Sequence, residues 1–264
     1  MAVVSRLFRY PVKSLSGLEE SALELTARGP RFDREWMLVD GQGLFLSQRK
    51  LPRMCLVKTA LSPDALTLSA PGLSPLSVLF ERAGRARVEA TVWDDACRAL
   101  DEGDAAAAWL SGFLGEPCRL VRVDPDFRRP LDPERSKPGE WTAFADGFPL
   151  LAASEESLAD LGRRAGRTFE VERFRPNIVV RGGAPWAEDS WRSLRSGALT
   201  LRAVKPCSRC AITTVDPKTA ETGPEPLRTL AAFRRDDQGR VLFGVNLVPE
   251  GPARLSVGDT LEAA

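Results

Sequence analysis

The first ninety residues of the chain are divided into short apolar segments by glycine, proline and acidic turn residues. Four segments have the length and composition of β-strands: residues 3–10, 21–25, 34–39 and 44–47. The last two flank Asp40-Gly41-Gln42-Gly43, a connection typical of a β-hairpin. Proline and glycine punctuate residues 56–92 in the same way. This part of the chain is therefore predicted to form a meander of antiparallel strands.

Two segments carry helix signals instead. Residues 104–114 contain four consecutive alanines, which are strong helix formers, and Gly115 follows as a stop signal. Residues 154–164 begin with Ser154 as a helix N-cap, and two glutamates follow in the first turn, where the helix dipole favours carboxylates. With strands elsewhere, the fold class is predicted to be α+β, mainly β.

The stretch at residues 124–139 is rich in Pro, Asp and Arg and is interpreted as a linker between two lobes. The predicted domains are residues 1–122, a β-rich N-terminal α/β lobe, and residues 123–264. In the second domain, strand-like segments at 241–248 and 255–261 are predicted to close a sheet or a barrel.

Histidine is absent from the 264-residue chain. This excludes Ser-His-Asp and Cys-His nucleophiles, haem bound through histidine, and zinc hydrolases with histidine ligands. An enzymatic function must then rest on cysteine, carboxylates, lysine, arginine or a cofactor.

The overall charge and the N-terminal sequence limit the partners and the location. A formal net charge of +1 gives no electrostatic reason to expect nucleic acid or a membrane as the main partner. The N-terminal sequence MAVVSRLFRYPVKS has charges and a proline where a signal peptide needs an apolar core, and no apolar run approaches the ~18 residues of a membrane span. An odd number of cysteines, five, agrees with a reducing compartment, so a cytoplasmic location is expected.

Two cysteines lie three residues apart in the sequence Pro-Cys207-Ser-Arg-Cys210, which precedes a predicted strand at residues 211–215. Neighbouring cations, Lys205 and Arg209, favour the thiolate, the form that attacks electrophiles and binds soft metals. Half of a zinc site, a redox dithiol and two buried cysteines are further interpretations. Zinc is disfavoured because the other three cysteines are scattered and histidine is absent. Because side chains alternate along a strand, one of the two cysteines is expected to act alone.

Six motifs in a fixed order resemble a known family: YPVKS, DREW, ADGFP, FRPNIVV, PCSRCAITTVDP and FGVN. Together they are similar to the MOSC-domain family with its N-terminal MOSC-associated region, and within it to the mitochondrial amidoxime-reducing component and its bacterial relatives. The match spans nearly the whole chain. It implies a barrel-like MOSC lobe packed on the N-terminal lobe, with a molybdenum-molybdopterin cofactor between them. It also implies reduction of small N-hydroxylated substrates with electrons from a separate donor protein.

The resemblance also implies roles for individual residues. Cys210 falls on the family's molybdenum ligand, and Asp146 is expected near the metal, where it positions or protonates the leaving oxygen. Cofactor-binding roles fall on Lys13, Ser14, Arg34, Gly147, Phe148, Arg175, Asn177, Ser208, Arg209 and Asn246. Asn246 replaces an aromatic residue of the animal members. The cations in this set suit the phosphate of molybdopterin, because guanidinium and ammonium groups form charge-assisted hydrogen bonds to it.

Two alternatives remain open at this point. The protein is a sulfur carrier or transferase with a persulfide on Cys210, or it is a non-catalytic binding module with a structural Cys-x-x-Cys. No cysteine follows Cys210 in this sequence to ligate an iron–sulfur cluster. A reductase is therefore expected to receive its electrons from a separate carrier.

Overall fold

The computed structural model describes residues 1–264 as twenty β-strands, three α-helices and four short 3₁₀ helices. The strands are β1 Ala2–Arg9, β2 Leu18–Glu20, β3 Ala22–Thr26, β4 Gly29–Pro30, β5 Trp36–Val39, β6 Lys58–Leu61, β7 Ala65–Ser69, β8 Leu76–Leu79, β9 Arg87–Val92, β10 Asp95–Asp101, β11 Arg119–Val123, β12 Arg129–Pro130, β13 Trp141–Thr142, β14 Leu150–Ser154, β15 Ile178–Arg181, β16 Ser193–Ser196, β17 Leu199–Ser208, β18 Leu242–Pro249, β19 Ala253–Ser256 and β20 Thr260–Ala263. The α-helices are α1 Asp104–Leu114, α2 Glu155–Ala165 and α3 Leu227–Phe233, and the 3₁₀ helices are Pro52–Leu56, Val171–Phe174, Ala187–Ser190 and Ala211–Thr214.

Seven strands form a closed barrel in the order β15-β14-β18-β17-β16-β20-β1, because β1 also pairs with β15. Side chains on alternate positions of these strands point inwards and fill the barrel, so Leu7, Leu201 and Leu247 are fully buried in one core. Closure leaves few free strand edges. The predicted α+β, mainly β fold with a barrel-like lobe is confirmed.

The N-terminal lobe contains a four-stranded sheet, β5-β11-β10-β9, and a three-stranded sheet, β6-β7-β8. Helix α1 packs its buried face, including Leu110 and Phe113, into the core of this lobe. Gly115 ends the helix in the left-handed conformation that glycine adopts without strain, as predicted. Trp36 lies fully buried in the same core, and its indole N–H donates to Glu102 at 2.7 Å.

The two sequence regions are interleaved in space. Strand β1 belongs to the barrel that is otherwise built from residues beyond 149, and β3 pairs with β19. The stretch interpreted as a linker contains β12, which pairs with β13 just after the stretch, and Arg129 within it is buried and pairs with Asp95 at 2.6 Å. This stretch is thus a packed part of the structure, while the domain division between residues 122 and 123 stays a prediction.

A short segment after β1 joins the barrel to the N-terminal lobe by backbone hydrogen bonds. The Arg34 N–H donates to the Tyr10 carbonyl at 2.7 Å, and the Lys13 N–H donates to the Trp36 carbonyl at 2.8 Å. The Phe144 N–H in turn donates to the Arg34 carbonyl at 3.0 Å. Three separate parts of the sequence therefore meet where the lobes join.

The strand predicted at residues 211–215 is wrong, because residues 211–214 form a 3₁₀ helix. The β-branched residues there favour a strand, but two of them bond back to the chain. The Thr213 hydroxyl donates to the Cys210 carbonyl at 3.0 Å, and the Thr214 hydroxyl donates to the Ala211 carbonyl at 2.8 Å. No helix of the structure has the length and apolar character needed to cross a membrane.

Candidate functional site

The two cysteines of the Cys-x-x-Cys segment lie in different local structures. Cys207 belongs to the end of β17, and Cys210 immediately precedes the 3₁₀ helix; neither forms a disulfide. Arg209 donates to the Cys207 sulfur at 2.9 Å and to the Phe174 carbonyl at 2.7 Å. The arginine between the two thiols is therefore held against Cys207 and not against Cys210.

Cys210 receives its cationic neighbour from the N-terminal lobe. Nη1 of Arg49 donates to the Cys210 sulfur at 3.4 Å. The same guanidinium lies over the Trp93 ring, with Cζ 4.4 Å from the ring centroid, and it lies 5.9 Å from the centroid of Phe45. Sequence reasoning missed Arg49 and Trp93, and neither belongs to a motif that indicates a site.

Asp146 lies in the turn before β14 and binds two side chains from the N-terminal region. Its Oδ1 accepts from Lys13 Nζ at 2.5 Å and from Trp93 Nε1 at 3.1 Å. Lys13 also donates to the Phe144 carbonyl at 2.9 Å. Cys210 and Asp146 are thus connected through Arg49 and Trp93, although the chain places them far apart.

Lys13 and Asp146 shift each other's pKa. The crowded surroundings of the Asp146 carboxyl disfavour its charged form, but the Lys13 ammonium and the hydrogen bonds from Lys13 and Trp93 outweigh this effect and hold the pKa of Asp146 below its usual range. Burial lowers the pKa of Lys13, and the Asp146 carboxylate opposes that shift. Asp146 is therefore ionised at neutral pH.

Two arginines lie against the ring of Tyr10. Cζ of Arg34 and Cζ of Arg175 each lie 4.3 Å from the ring centroid. Arg34 donates to Asn177 Oδ1 at 3.0 Å and to the Arg175 carbonyl at 3.0 Å, and Arg175 donates to the Leu15 carbonyl at 2.6 Å. Burial, together with the positive charge of Arg34, lowers the pKa of Arg175 to about 10. Three predicted cofactor residues thus lie in one hydrogen-bonded group.

The backbone at four residues of the site adopts the left-handed conformation, which L-residues rarely take. The φ angle is 67° at Ser14, 45° at Arg34, 56° at Trp93 and 55° at Arg175. Each such residue costs of the order of 1 kcal/mol or more, and residues of this kind cluster at ligand sites. Their concentration here supports a binding function for this region.

The other predicted residues are less closely connected. Asn246, on β18, is paired with Leu151 of β14, and its side-chain amide donates to the Lys205 carbonyl at 3.3 Å. Phe148 is buried, and the Lys205 ammonium lies 5.3 Å from its ring centroid. Ser14 is buried, whereas Gly147 and Ser208 are exposed and form no side-chain contact that ties them to the group. The roles of the individual residues stay predictions.

A cavity with a volume of about 630 Å³ adjoins this region. Its lining includes Tyr10 and Arg175 but neither Cys210 nor Asp146. Asp146 has a side chain that is 63% exposed, and Trp93 is 44% exposed. The thiol and the carboxylate therefore lie outside this cavity, and the carboxylate is open to solvent.

Comparison with known proteins decides the family. The models of the MOSC N-terminal beta barrel domain and of the MOSC domain match residues 1–117 and 139–262. The mitochondrial amidoxime-reducing component 1 of Homo sapiens is 36% identical, over 98% of this chain and 82% of that protein. This chain belongs to the MOSC family. The resemblance found in the sequence motifs is thereby confirmed.

Two further relatives show the range of this MOSC family. The mitochondrial amidoxime reducing component 2 of Bos taurus is 33% identical, over 98% of this chain and 82% of that protein. The molybdenum cofactor sulfurase of Danio rerio is 33% identical over 92% of this chain, but over only 31% of that protein. The relatives of this MOSC protein are thus named for amidoxime reduction and for molybdenum cofactor chemistry.

The charges of the MOSC site fit an anionic, phosphate-bearing cofactor. The site residues include five cations and two carboxylates: Lys13, Arg34, Arg49, Arg175, Arg209, Asp33 and Asp146. Nη2 of Arg175 and Nε of Arg209 are buried without a hydrogen-bond partner. Surplus positive charge and unpaired donors cost free energy in the protein alone, and a bound anion would offset that cost. The residues present therefore fit molybdopterin.

Proposed function

We propose that this MOSC protein is a molybdenum-cofactor oxidoreductase that reduces N-hydroxylated compounds, such as amidoximes and hydroxylamines. Reduction of an amidoxime consumes two electrons and two protons, breaks the N–O bond, and yields an amidine and water. A separate donor protein supplies the electrons, and we propose a cytoplasmic location. The observation that carries the proposal is the continuous connection from Cys210 through Arg49 and Trp93 to Asp146, a carboxylate whose charge also acts on Arg175.

The chain's own residues would hold the cofactor. Cys210 offers a thiolate, a ligand type that soft metals prefer, to molybdenum. Arg34, Arg175 and Arg209 offer the charge-assisted donors that a phosphate group requires. When bound, the cofactor supplies the two-electron chemistry, and the protein supplies binding, orientation and electrostatics.

Asp146 and Lys13 have different roles in this proposal. Asp146 is ionised and accepts hydrogen bonds, so it is suited to orienting a donor group of the substrate and not to delivering a proton. Lys13 carries a proton on Nζ, 2.5 Å from Asp146 Oδ1, and burial makes that proton easier to release. We therefore assign proton delivery to Lys13 and orientation to Asp146.

The test uses purified protein, with molybdenum measured by elemental analysis and pterin measured by fluorescence after denaturation. The expected result is molybdenum and pterin in the protein, and conversion of benzamidoxime to benzamidine when a chemical reductant is present. A cofactor-replete sample that reduces no amidoxime and no hydroxylamine contradicts the proposal.

A second candidate function is sulfur transfer through a persulfide on Cys210. The match to a molybdenum cofactor sulfurase over 92% of this chain favours it. It predicts protein without molybdenum and a mass increase of one sulfur atom on the peptide that contains Cys210. The non-catalytic binding module predicts neither cofactor nor persulfide, so the same two measurements separate all three functions.

A further inference from the structure

Trp93 presents a large aromatic ring where the local backbone favours glycine. It is the first residue of the two-residue turn between β9 and β10, since Val92 and Asp95 are paired, and its φ is 56°. Hairpin turns with positive φ at this position prefer glycine. Trp93 is also 44% exposed. Backbone strain combined with an exposed aromatic ring indicates a ligand contact.

The Trp93 ring is held in place by its neighbours. Its indole N–H donates to Asp146 at 3.1 Å, and its ring packs against Phe45 with centroids 5.1 Å apart and planes at 56°. Lys13 lies 5.2 Å from the Phe45 ring centroid and completes the support. A ring fixed before binding loses little conformational freedom when a ligand stacks on it.

The group that now covers Trp93 has the shape of the expected ligand. The Arg49 guanidinium is a planar carbon bonded to three nitrogens, and it spans the Trp93 face and the Cys210 sulfur, with Nη1 3.4 Å from Sγ. An amidine or amidoxime has a planar carbon bonded to two nitrogens. A group of this kind on the same ring face therefore lies within reach of Cys210.

We propose that the Trp93 face is the subsite for the planar C–N group of the substrate, and that this group displaces the Arg49 guanidinium. The inference rests on the proposed function and narrows its substrate class. Amidoximes, which have the planar carbon, bind through Trp93, whereas hydroxylamine itself lacks that carbon and does not. The Asp146 carboxylate at the indole edge adds Coulombic attraction for a cationic amidine, the product of the proposed reaction.

The test measures binding of benzamidine to the purified protein by isothermal titration calorimetry, which requires no turnover. Trp93→Ala is expected to weaken binding about tenfold, the loss typical of one cation–π or stacking contact. Trp93→Phe keeps a ring but loses the N–H, and it is expected to stay within about threefold of the wild type. Arg49→Ala is expected to tighten binding, because the competing guanidinium is gone.

The outcomes separate the parts of the proposal. Unchanged benzamidine binding by Trp93→Ala overturns the subsite. Equal losses in Trp93→Phe and Trp93→Ala assign the effect to the indole N–H on Asp146 and overturn the stacking role. Weaker binding by Arg49→Ala overturns the displacement. The matched control is Trp109→Ala, since Trp109 is bonded to the Ser74 carbonyl and stacked on Phe113 in the N-terminal lobe; it is expected to bind benzamidine like the wild type.

Steady-state kinetics then distinguish the subsite from the proposed function. Trp93→Ala is expected to raise KM for benzamidoxime about tenfold more than KM for hydroxylamine, because both substrates lose the support of Asp146 but only the amidoxime loses the ring. Equal increases for both substrates overturn the substrate preference. A protein that binds benzamidine through Trp93 but reduces no N-hydroxylated compound retains the subsite and loses the reductase function. Melting temperatures and circular dichroism establish that each variant is folded.

Discussion

Lys13 and Asp146 form an ion pair whose two partners differ in exposure: Nζ lies 2.5 Å from Oδ1, and the side chains are 6% and 63% exposed. Lys13 comes from the segment after β1, and Asp146 comes from the turn before β14. The pair therefore connects the N-terminal region to the barrel. A buried ammonium depends on its counter-charge, whereas an exposed carboxylate is solvated by water.

Asp146→Asn is expected to destabilise the protein by about 1–2 kcal/mol, because it leaves the Lys13 ammonium buried without its carboxylate. The cost is below the 3–5 kcal/mol typical of a fully buried pair, since Asp146 is largely exposed. Lys13→Met is expected to cost less, because the carboxylate that remains is solvated. Urea unfolding of both variants measures the difference, and a larger cost for Lys13→Met contradicts this account.

The pH dependence of Asp146→Asn follows from Lys13. Burial places the folded pKa of Lys13 below its unfolded value, about 10.4. Below its folded pKa, such a lysine is charged in both states, and its burial as a cation destabilises the fold. This destabilisation disappears as the pH rises from the folded pKa to the unfolded pKa, where the unfolded state binds more protons. The stability gap between the variant and the wild type is therefore expected to narrow from pH 7 to pH 10. Glu24→Gln removes only an exposed partner of Arg31 and serves as the control.

Arg175→Ala is expected to lower cofactor occupancy more than stability, although it also removes the hydrogen bond to the Leu15 carbonyl. The Arg175 guanidinium is repelled by Arg34, which contributes to its lowered pKa, so its removal relieves one unfavourable interaction in the protein alone. One charge-assisted contact to a phosphate contributes roughly 1.5–3 kcal/mol, so cofactor affinity should fall by about one to two decades. Pterin content and melting temperature are the two measurements.

Arg34→Ala provides the comparison for this prediction. Arg34 donates to Asn177 and to the Arg175 carbonyl, so its removal is expected to lower both the pterin content and the melting temperature. Arg31→Ala, which removes an exposed ion pair with Glu24, should change neither. Full pterin content in Arg175→Ala, with a large drop in melting temperature, assigns Arg175 a purely structural role.

Glu188→Gln is expected to stabilise the protein relative to the wild type more at pH 8 than at pH 4. Glu188 is fully buried, Oε2 accepts from the Ser157 hydroxyl at 2.8 Å, and Oε1 has no partner. Burial raises the pKa of Glu188; Asp189 adds to the shift, whereas Arg234 and the hydrogen bond from Ser157 oppose it.

The sign of this effect follows from proton linkage. A carboxyl whose folded pKa exceeds its unfolded value, about 4.3, contributes stability below that value and loses it as pH rises through the folded pKa. Glutamine keeps the shape and has no titration. Urea unfolding at the two pH values measures the change, and a gain that is independent of pH assigns it to a cause other than ionisation.

Local sequence signals predicted the elements whose stability is local. Helix α1 has the predicted bounds, and the Ser154 hydroxyl accepts from the Ser157 N–H as a helix cap. The strand predicted after Cys210 failed because the threonine hydroxyls there bond to carbonyls three residues earlier. β-Propensity does not include that competition.

Long-range pairing is what the sequence did not reveal. Arg49 and Cys210 are 161 residues apart, and Trp93 and Asp146 are 53 residues apart. No spacing rule relates such positions, and closure of the barrel by β1 and β15 likewise depends on the whole fold. Arg49 and Trp93 enter the site only because the N-terminal sheet packs against the barrel.

The two thiols near the arginines are expected to differ in function. Cys210→Ser is expected to abolish amidoxime reduction while pterin stays bound and the fold stays intact. Cys207→Ser is expected to retain most of the activity. A metal that already carries the cofactor's sulfurs needs one protein thiolate, and the contacts of the two cysteines differ: Cys210 faces Arg49 beside Trp93, whereas Cys207 accepts from Arg209.

The structure explains why Cys207 tolerates the change. Arg209 is also held by the Phe174 carbonyl at 2.7 Å, and a serine oxygen accepts the same hydrogen bond, so Arg209 keeps its position. The measurements are the reduction rate, molybdenum content and pterin fluorescence of both variants. Reversed results move the metal ligand to Cys207. Equal losses in the two variants restore the interpretation in which both cysteines act together. Side chains alternate along a strand, so the backbone would then have to bend for both thiolates to reach one metal.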